Sequence, residues 1–277
     1  MSGRFSSALQ TVYALTRRDL LSNLRGWGTY VAIFVSFLAS SFLLKNYVEA
    51  IKEKDILISS DPLNFPLLIS LVVISFYLAV ISVVSISRER DQGTLEVLFY
   101  GNVDSLSYMA AKFLADLVIY LLVICLLVLY FIAVSMLTNL ALSWNLVKAV
   151  FLSIFSMSCV ISFSLFISSL TSKTRTSIVW LVALLSVFVA IQVSHTMLTR
   201  LDQAALSPSQ QYLRAALGVL FKGTEWISPF SYLKRGMESI HVESARLYGL
   251  NLLHSLAYSA AFMVAAVLAL ERKGVRG

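Results

Sequence analysis

Charge is what this sequence has least of. Only 13% of its 277 residues are Asp, Glu, Lys or Arg, while 58% are hydrophobic. A soluble domain carries about twice that charged fraction, so an ordinary globular protein is excluded. Cysteine is nearly absent. Cys125 and Cys159 each fall inside an apolar run and read as small buried thiols; nothing in the sequence supports a disulfide or cysteine metal site. The four prolines, Pro62, Pro66, Pro208 and Pro229, avoid the interiors of the apolar runs. Sharply broken, ion-holding helices are therefore not expected. The 11 glycines are scattered, and no Gly-x-x-x-x-Gly-Lys-Ser/Thr loop occurs to cradle nucleotide phosphates. His-Glu-x-x-His, a Ser-His-Asp grouping and paired intramembrane carboxylates are missing too, which counts against an intramembrane enzyme. His195, His241 and His254, with Met197 nearby, show no metal-ligand spacing and have no cysteine beside them. The first 25 residues hold four arginines and no continuous apolar core, so no cleavable signal peptide is expected.

What is present is a set of apolar runs near 20 residues long, the length that matches a bilayer core. The runs are continuous, not alternating, so helices are expected and barrel strands are not. Six spans follow, at about Gly28–Leu44, Pro66–Ile86, Phe113–Leu137, Leu146–Leu170, Ser177–Met197 and Tyr248–Leu270. The net charge of +7 needs no nucleic-acid partner, because positive residues concentrate near one set of span ends. That side collects Arg4, Arg17, Arg18, Arg25, Arg88, Arg90, Lys112, Lys173, Arg175, Arg272, Lys273 and Arg276. The short loops on the other side carry Lys45, Lys52 and Lys54, offset by Glu49, Glu53, Asp55 and Asp61, plus Lys148 at a span end. Both termini are expected to be cytoplasmic.

Residues 5–25 read as a helix lying at the membrane surface. Phe5, Leu9, Val12, Tyr13, Thr16, Leu20 and Leu24 recur at helical steps and would meet lipid, while Arg17 and Arg18 would meet anionic headgroups or a partner. A plain extension of the first span is the alternative. Between the second and third spans runs "SISRERDQGTLEVLFYGNVDSLSYMAAK". Gly93 interrupts it, and beyond Gly93 the residues Leu95, Leu98 and Phe99 share one helical face while Glu96 points elsewhere. Gly101-Asn102 supplies a stop, and Asp104 or Ser105 can cap the next helix. The alternating charges Arg88, Glu89, Arg90, Asp91 and Glu96 suit a protein surface better than lipid alone.

This stretch resembles the cytoplasmic loop of ABC-2 type transporter permeases, through Glu89, Arg90, Gly93, Thr94, Leu95, Glu96 and Lys112. Two departures stand out: no proline near Asn102 or Val103, and Ala111 where the family often has glycine. "ALQTVYALTRRDLLSNLRGW", with Asp19 after two arginines, resembles the family's connecting helix; "LFISSLTSKTRTS" and "WISPFSYLKRGMESI" resemble later segments. The resemblance covers most of the chain. It implies a single ABC-2 type transmembrane domain over 1–277, all-α, with six transmembrane helices, an N-terminal interfacial helix (5–25), a cytoplasmic coupling helix region (88–104) and short extracellular helices within 199–246. Arg88, Glu89, Arg90, Gly93, Thr94, Leu95, Glu96, Leu98 and Phe99 would form the contact with a separate ATP-binding cassette ATPase, which would bind ATP and Mg. A second copy or a related permease would complete the pathway in a prokaryotic cell (inner) membrane. No cofactor is expected in this chain. The expected function is the permease subunit of an ATP-driven exporter; the alternative is a non-transporting component of an ATPase-driven envelope-remodelling or regulatory complex.

In the segment before the last span, "SPSQQYLRAALGVLFKG" reads as a helix with Ser207 as cap, Pro208 at its first position and Gln210 completing a capping box. Lys222 and Gly223 are expected to close it. Its apolar part, Tyr212–Phe221, would rise only about 15 Å, too short to cross a bilayer. It suits a re-entrant or interfacial helix; the resemblance implies an outer lid, and a surface helix that anchors the sixth span is the alternative. A second helix is expected to start at Pro229, capped by Ser228. Within the third span, Asp116 is expected to pair with Lys112 one turn away, with a substrate or ion role as the alternative. The serines of the fourth span, from Ser153 to Ser169, are expected to serve close helix packing, with a polar pathway lining as the alternative.

Overall fold

The computed structural model describes residues 2–54, 61–100, 103–138, 140–199 and 208–274. Helix is the only regular element among them. In chain order these are α1 (Ser2–Arg25), α2 (Trp27–Lys54), α3 (Asn64–Asp91), α4 (Thr94–Tyr100), α5 (Ser105–Thr138), α6 (Trp144–Leu170), α7 (Thr174–Thr199), α8 (Pro208–Ile227), α9 (Pro229–His241) and α10 (Ala245–Gly274). Six of them, α2, α3, α5, α6, α7 and α10, are long and apolar enough to cross a membrane. They cover the six runs read from hydropathy. A helix satisfies its own backbone groups, so long apolar segments without interior proline settle into this form in lipid.

The bundle is built around α6. Two thirds of its apolar window (67%) is buried, against 11% for α7 at the periphery. α3 and α10 lie against α6 most extensively, α9 and α5 cover more of it, and α2 rests on the outside of α3. Serine is what lets helices approach α6 closely. Ser153, Ser156, Ser162, Ser164, Ser168 and Ser169 are all buried. Tyr120 Oη of α5 donates to Ser153 Oγ, and Cys159 Sγ donates to the Ser255 carbonyl of α10 at 3.3 Å. Around them Leu67, Leu71 and Leu78 of α3 pack with Ile119, Leu127 and Phe131 of α5. Gly236 of α9 lies so near α6 that a Cβ there would fall 2.1 Å from Leu152 Cδ2.

The two ends of the bundle differ. One gathers the C-terminal ends of α3, α6 and α10 with the N-terminal ends of α5 and α7, tied by Arg90 to α6, by Thr174 Oγ1 to Asp91 (3.3 Å) and by Ser105 Oγ to Glu271 (2.9 Å). α1 and α4 lie at this end. The other end is closed by Asn145 Nδ2 donating to Asp61 Oδ2 at 2.8 Å and by Tyr248 Oη donating to the Lys148 carbonyl at 3.1 Å. Hydrogen bonds from the Asn145 and Ser143 side chains hold the Asp61 carboxyl below its ordinary range. α8 lies along α7 here, with His195 stacked on Phe221 at a centroid distance of 4.1 Å.

Several expectations need correction. α1 turns Val12, Leu15 and Thr16 onto the protein instead of into headgroups: Val12 and Leu15 join a core with α5, and Thr16 Oγ1 donates to the Ala111 carbonyl at 3.3 Å. Among the described side chains of the apolar stripe, Leu9 and Tyr13 stay open, 60% and 70% exposed. α8 does not end at Gly223 but continues to Ile227. Thr224 Oγ1 bonds back to the Leu220 and Phe221 carbonyls, and Arg235 of α9 grips the final turn through Glu225 and the Trp226 ring, so the tertiary contacts outweigh the glycine. Ser228 occupies the N-cap position of α9 with extended backbone, and Pro229 opens the helix, but the serine side chain makes no capping bond. Ser207 and Gly101-Asn102 lie outside the described residues.

Candidate functional site

The site lies where α3, α4 and α5 meet α1. α3 ends at Asp91, and Gly93 then adopts φ +70°, a backbone state that only glycine occupies at little cost. The chain turns there and restarts at once as α4, whose first residue donates from Thr94 Oγ1 to the Glu89 carbonyl at 3.0 Å. α4 is amphipathic. Leu95 is 2% exposed and packs with Ile86, Tyr108, Ile161 and Leu165, while Leu98 and Phe99 pack beside it. Burying Leu95 alone contributes about 1.5–3 kcal/mol. The opposite face is bare: Val97 is 70% exposed and Tyr100 91%, with Glu96 exposed beside them.

Behind α4 sits an ionic junction that sequence spacing does not show. Lys112 Nζ lies 2.7 Å from Glu89 Oε1 and 2.8 Å from Asp19 Oδ2, with its side chain only 6% exposed. Arg18 Nη2 reaches the same Glu89 oxygen at 2.6 Å and Asp19 Oδ1 at 2.9 Å. Tyr108 Oη donates to Glu89 Oε2 at 2.6 Å, and its ring lies under Lys112 and beside Phe99. Glu89 thus joins three helices: its own α3, α1 through Arg18, and α5 through Tyr108 and Lys112. A buried ammonium is tolerated only when paired and hydrogen-bonded, and here two carboxylates share it.

Lys112 therefore does not pair with Asp116. Asp116 instead accepts from Ser82 Oγ at 2.6 Å. The turn of α5 places the two residues in sequence, but the nearer, better-solvated carboxylates of α1 and α3 capture the lysine. Arg18 is engaged by Glu89 and Asp19 although its side chain is 45% exposed; Arg17 is exposed as well.

A second tie runs from α3 to α6. Arg90 Nη1 donates to the Ser169 carbonyl at 3.2 Å and the Thr171 carbonyl at 3.0 Å, capping the end of α6 with a cation. One helical turn earlier, Ser168 Oγ accepts from the backbone N–H groups of Ile86 and Ser87, at 3.2 and 3.0 Å. The end of α3 that carries α4 is thus fastened directly to the central helix.

Of the residues singled out from the sequence, the fold splits the set. Arg88, Gly93, Thr94 and Glu96 are exposed; Leu95 is buried with Leu98 and Phe99 on the inward face; Glu89 and Arg90 are used within the chain. Sequence reasoning passed over Val97 and Tyr100, which a helical wheel through Thr94–Tyr100 puts opposite Leu95 and Leu98. It also passed over the partners of Glu89, which lie 71 residues before it at Arg18 and 23 residues after it at Lys112.

Six apolar spans, with a short helix between two of them at one end, mark a multi-pass membrane protein. A family model described as "ABC-2 family transporter protein" matches residues 10–275, and the chain belongs to that family. Its members are generally non-catalytic membrane subunits that pair with an ABC ATPase. A search of curated proteins gave no match. Among the described residues no three His, Cys, Asp or Glu side chains converge as metal ligands.

Proposed function

We propose that this chain is the permease subunit of an ATP-binding cassette exporter, and that α4 is its coupling helix. The observation that supports this reading is the two-sided character of α4: one face packs on α1, α3 and α5, and the other leaves Glu96, Val97 and Tyr100 exposed among the described residues. A tyrosine and a valine so exposed at the end of a bundle form a small apolar patch of the kind a partner covers. The partner is a separate ATPase that binds ATP and Mg. When two such subunits close on nucleotide they push α4. The push passes through Gly93 and Arg90 into α6, and through Glu89 and Lys112 into α1 and α5.

The end that holds α1 and α4 also holds Arg17, Arg18, Arg25, Arg88, Arg90, Lys173, Arg175 and Arg272, and we assign it to the cytoplasm of a prokaryotic cell. The termini lie on that side, and α8 and α9 form an outer lid. The exposed apolar faces of α2 and α7, with Phe34, Leu38 and Phe42 on the first and Val179, Val182 and Val189 on the second, meet lipid and a second permease chain. Two chains enclose the pathway.

Glu96→Arg tests the reading. It reverses charge on the bare face without touching the core. The expected result is loss of the ATPase subunit on purification, or loss of substrate-stimulated ATP hydrolysis. Unchanged assembly together with unchanged turnover contradicts the coupling role.

A further inference from the structure

Between α1, α3 and α5, bordering the ionic junction, lies a cavity of about 450 Å³. Val80, Ile81 and Val84 of α3 form an apolar wall. The ionic junction forms another, and Asp116 lies in the lining although it is only 2% exposed. The lining holds three cations, with Arg88 at the rim, and three carboxylates, but they do not all pair off. Arg18 and Lys112 are matched by Asp19 and Glu89, two cations against two carboxylates. Asp116 is a third carboxylate. It accepts one hydrogen bond, from Ser82 Oγ at 2.6 Å, and makes no ion pair among the described residues. A carboxylate buried in a span without a cation is costly, and such a group lining a cavity marks a site. The volume falls within the range of small-molecule pockets, roughly 300–1,000 Å³, and far exceeds the roughly 30 Å³ that one water needs.

We propose that this cavity binds a lipophilic ammonium, with the cation on Asp116 and the hydrocarbon against Val80, Ile81 and Val84. Beside Asp116 an anionic group is disfavoured, because Arg18 and Lys112 are already committed to Asp19 and Glu89. The rim carries Arg88, exposed and without an ion pair among the described residues, which suits a phosphate next to the ammonium. The ligand is therefore either an aminophospholipid drawn from the surrounding leaflet or a free amphiphilic amine. The proposal concerns binding by this chain alone, so it stands apart from the ATPase reading.

The test uses the full chain in a neutral maltoside detergent near neutral pH, with thermal unfolding as the readout. Dodecylamine is expected to raise the unfolding midpoint in a saturable way, and dodecanol is not. Asp116→Asn is expected to weaken the dodecylamine response by at least about 10-fold, the equivalent of one lost ionic contact. Ile81→Trp keeps the carboxylate but fills the cavity, and is expected to abolish the response; it decides the matter should Asp116→Asn fail to fold. Competition by phosphatidylethanolamine identifies a lipid occupant, and its absence with dodecylamine still bound identifies a free amine. The proposal is overturned by no response to dodecylamine, by an equal response to dodecanol, or by an undiminished response in either folded variant.

Discussion

Glu89 and Lys112 stand 23 residues apart in sequence and 2.7 Å apart in space, on either side of the turn that carries α4. Their pairing, shared with Asp19 and Arg18, makes the two long helices and α1 one mechanical unit at the end where force would enter. A buried lysine so held has no neutral substitute. Lys112→Met leaves Asp19 and Glu89 without their shared cation and should lower stability by about 3–5 kcal/mol. Adding Glu89→Gln should recover part of the loss, because one fewer carboxylate is then left unmatched. Unfolding midpoints of the single and double variants in detergent check this; a double variant with the summed loss of both singles contradicts it.

Arg90 is expected to act on transmission as well as on stability. Arg90→Leu removes the donor to the Ser169 and Thr171 carbonyls and should destabilise by about 1.5–3 kcal/mol, the usual range for hydrogen bonds to a charged group. Stimulation of the ATPase by the permease should fall in the same variant. Stimulation at the wild-type level in a folded Arg90→Leu complex would show that α6 is not driven through this contact.

Two glycines make a paired test of the packing on α6. Gly236→Ala drives a methyl into Leu152 Cδ2 and against Asn251 Nδ2, and Leu152 is fully buried. A loss of about 1–3 kcal/mol is expected. Gly249→Ala meets nothing within 4 Å and, in the interior of α10, should be neutral or stabilise by about 0.5–1 kcal/mol. Unfolding midpoints for both variants give the comparison, and equal behaviour contradicts the close approach of α9 to α6.

The clasp at the opposite end should respond to acid. Hydrogen bonds from Asn145 and Ser143 favour the ionised form of Asp61 and hold its carboxyl below the ordinary range. Its contribution is therefore complete above the unfolded carboxylate value of about 4 and is lost as pH falls through the lower folded value. Asn145→Ala should leave stability less dependent on pH across that window. Midpoints measured from about pH 5 downward, for wild type and variant, report the difference. Identical slopes contradict it.

Topology is testable with single cysteines in a chain lacking Cys125 and Cys159. Gln92→Cys and Lys222→Cys both occupy exposed positions, at opposite ends of the bundle. An impermeant maleimide added to intact cells should label the second and not the first. The reverse pattern inverts the assignment of the two sides.

Hydropathy made the spans legible because each apolar run must be long, continuous and free of interior proline to cross lipid, and local sequence carries all three properties. The amphipathic character of α4 was legible for a similar reason: Leu95, Leu98 and Phe99 lie within five residues of one another. The junction was not legible. Helical spacing offers Lys112 a partner at Asp116, whereas the fold delivers Glu89 and Asp19 from distant segments. Ser168 reads as a small packing residue, and nothing in its neighbours announces that it accepts two backbone N–H groups from α3. Gly223 reads as a stop because its local preference is strong, and only the grip of Arg235 on Glu225 and Trp226 explains why α8 runs on.

The central claim is that the bare face of α4 is gripped by an ATPase, and Tyr100 is its most exposed aromatic residue. The direct measurement is the rate at which Tyr100→Cys reacts with a water-soluble maleimide, in the chain alone and in the complex purified with its ATP-binding cassette subunit. Labelling should slow by at least about 10-fold in the complex, as expected for a side chain moved into a protein interface. Equal rates in the two preparations, or purification of the chain from its native membrane with no such ATPase attached, contradict the account.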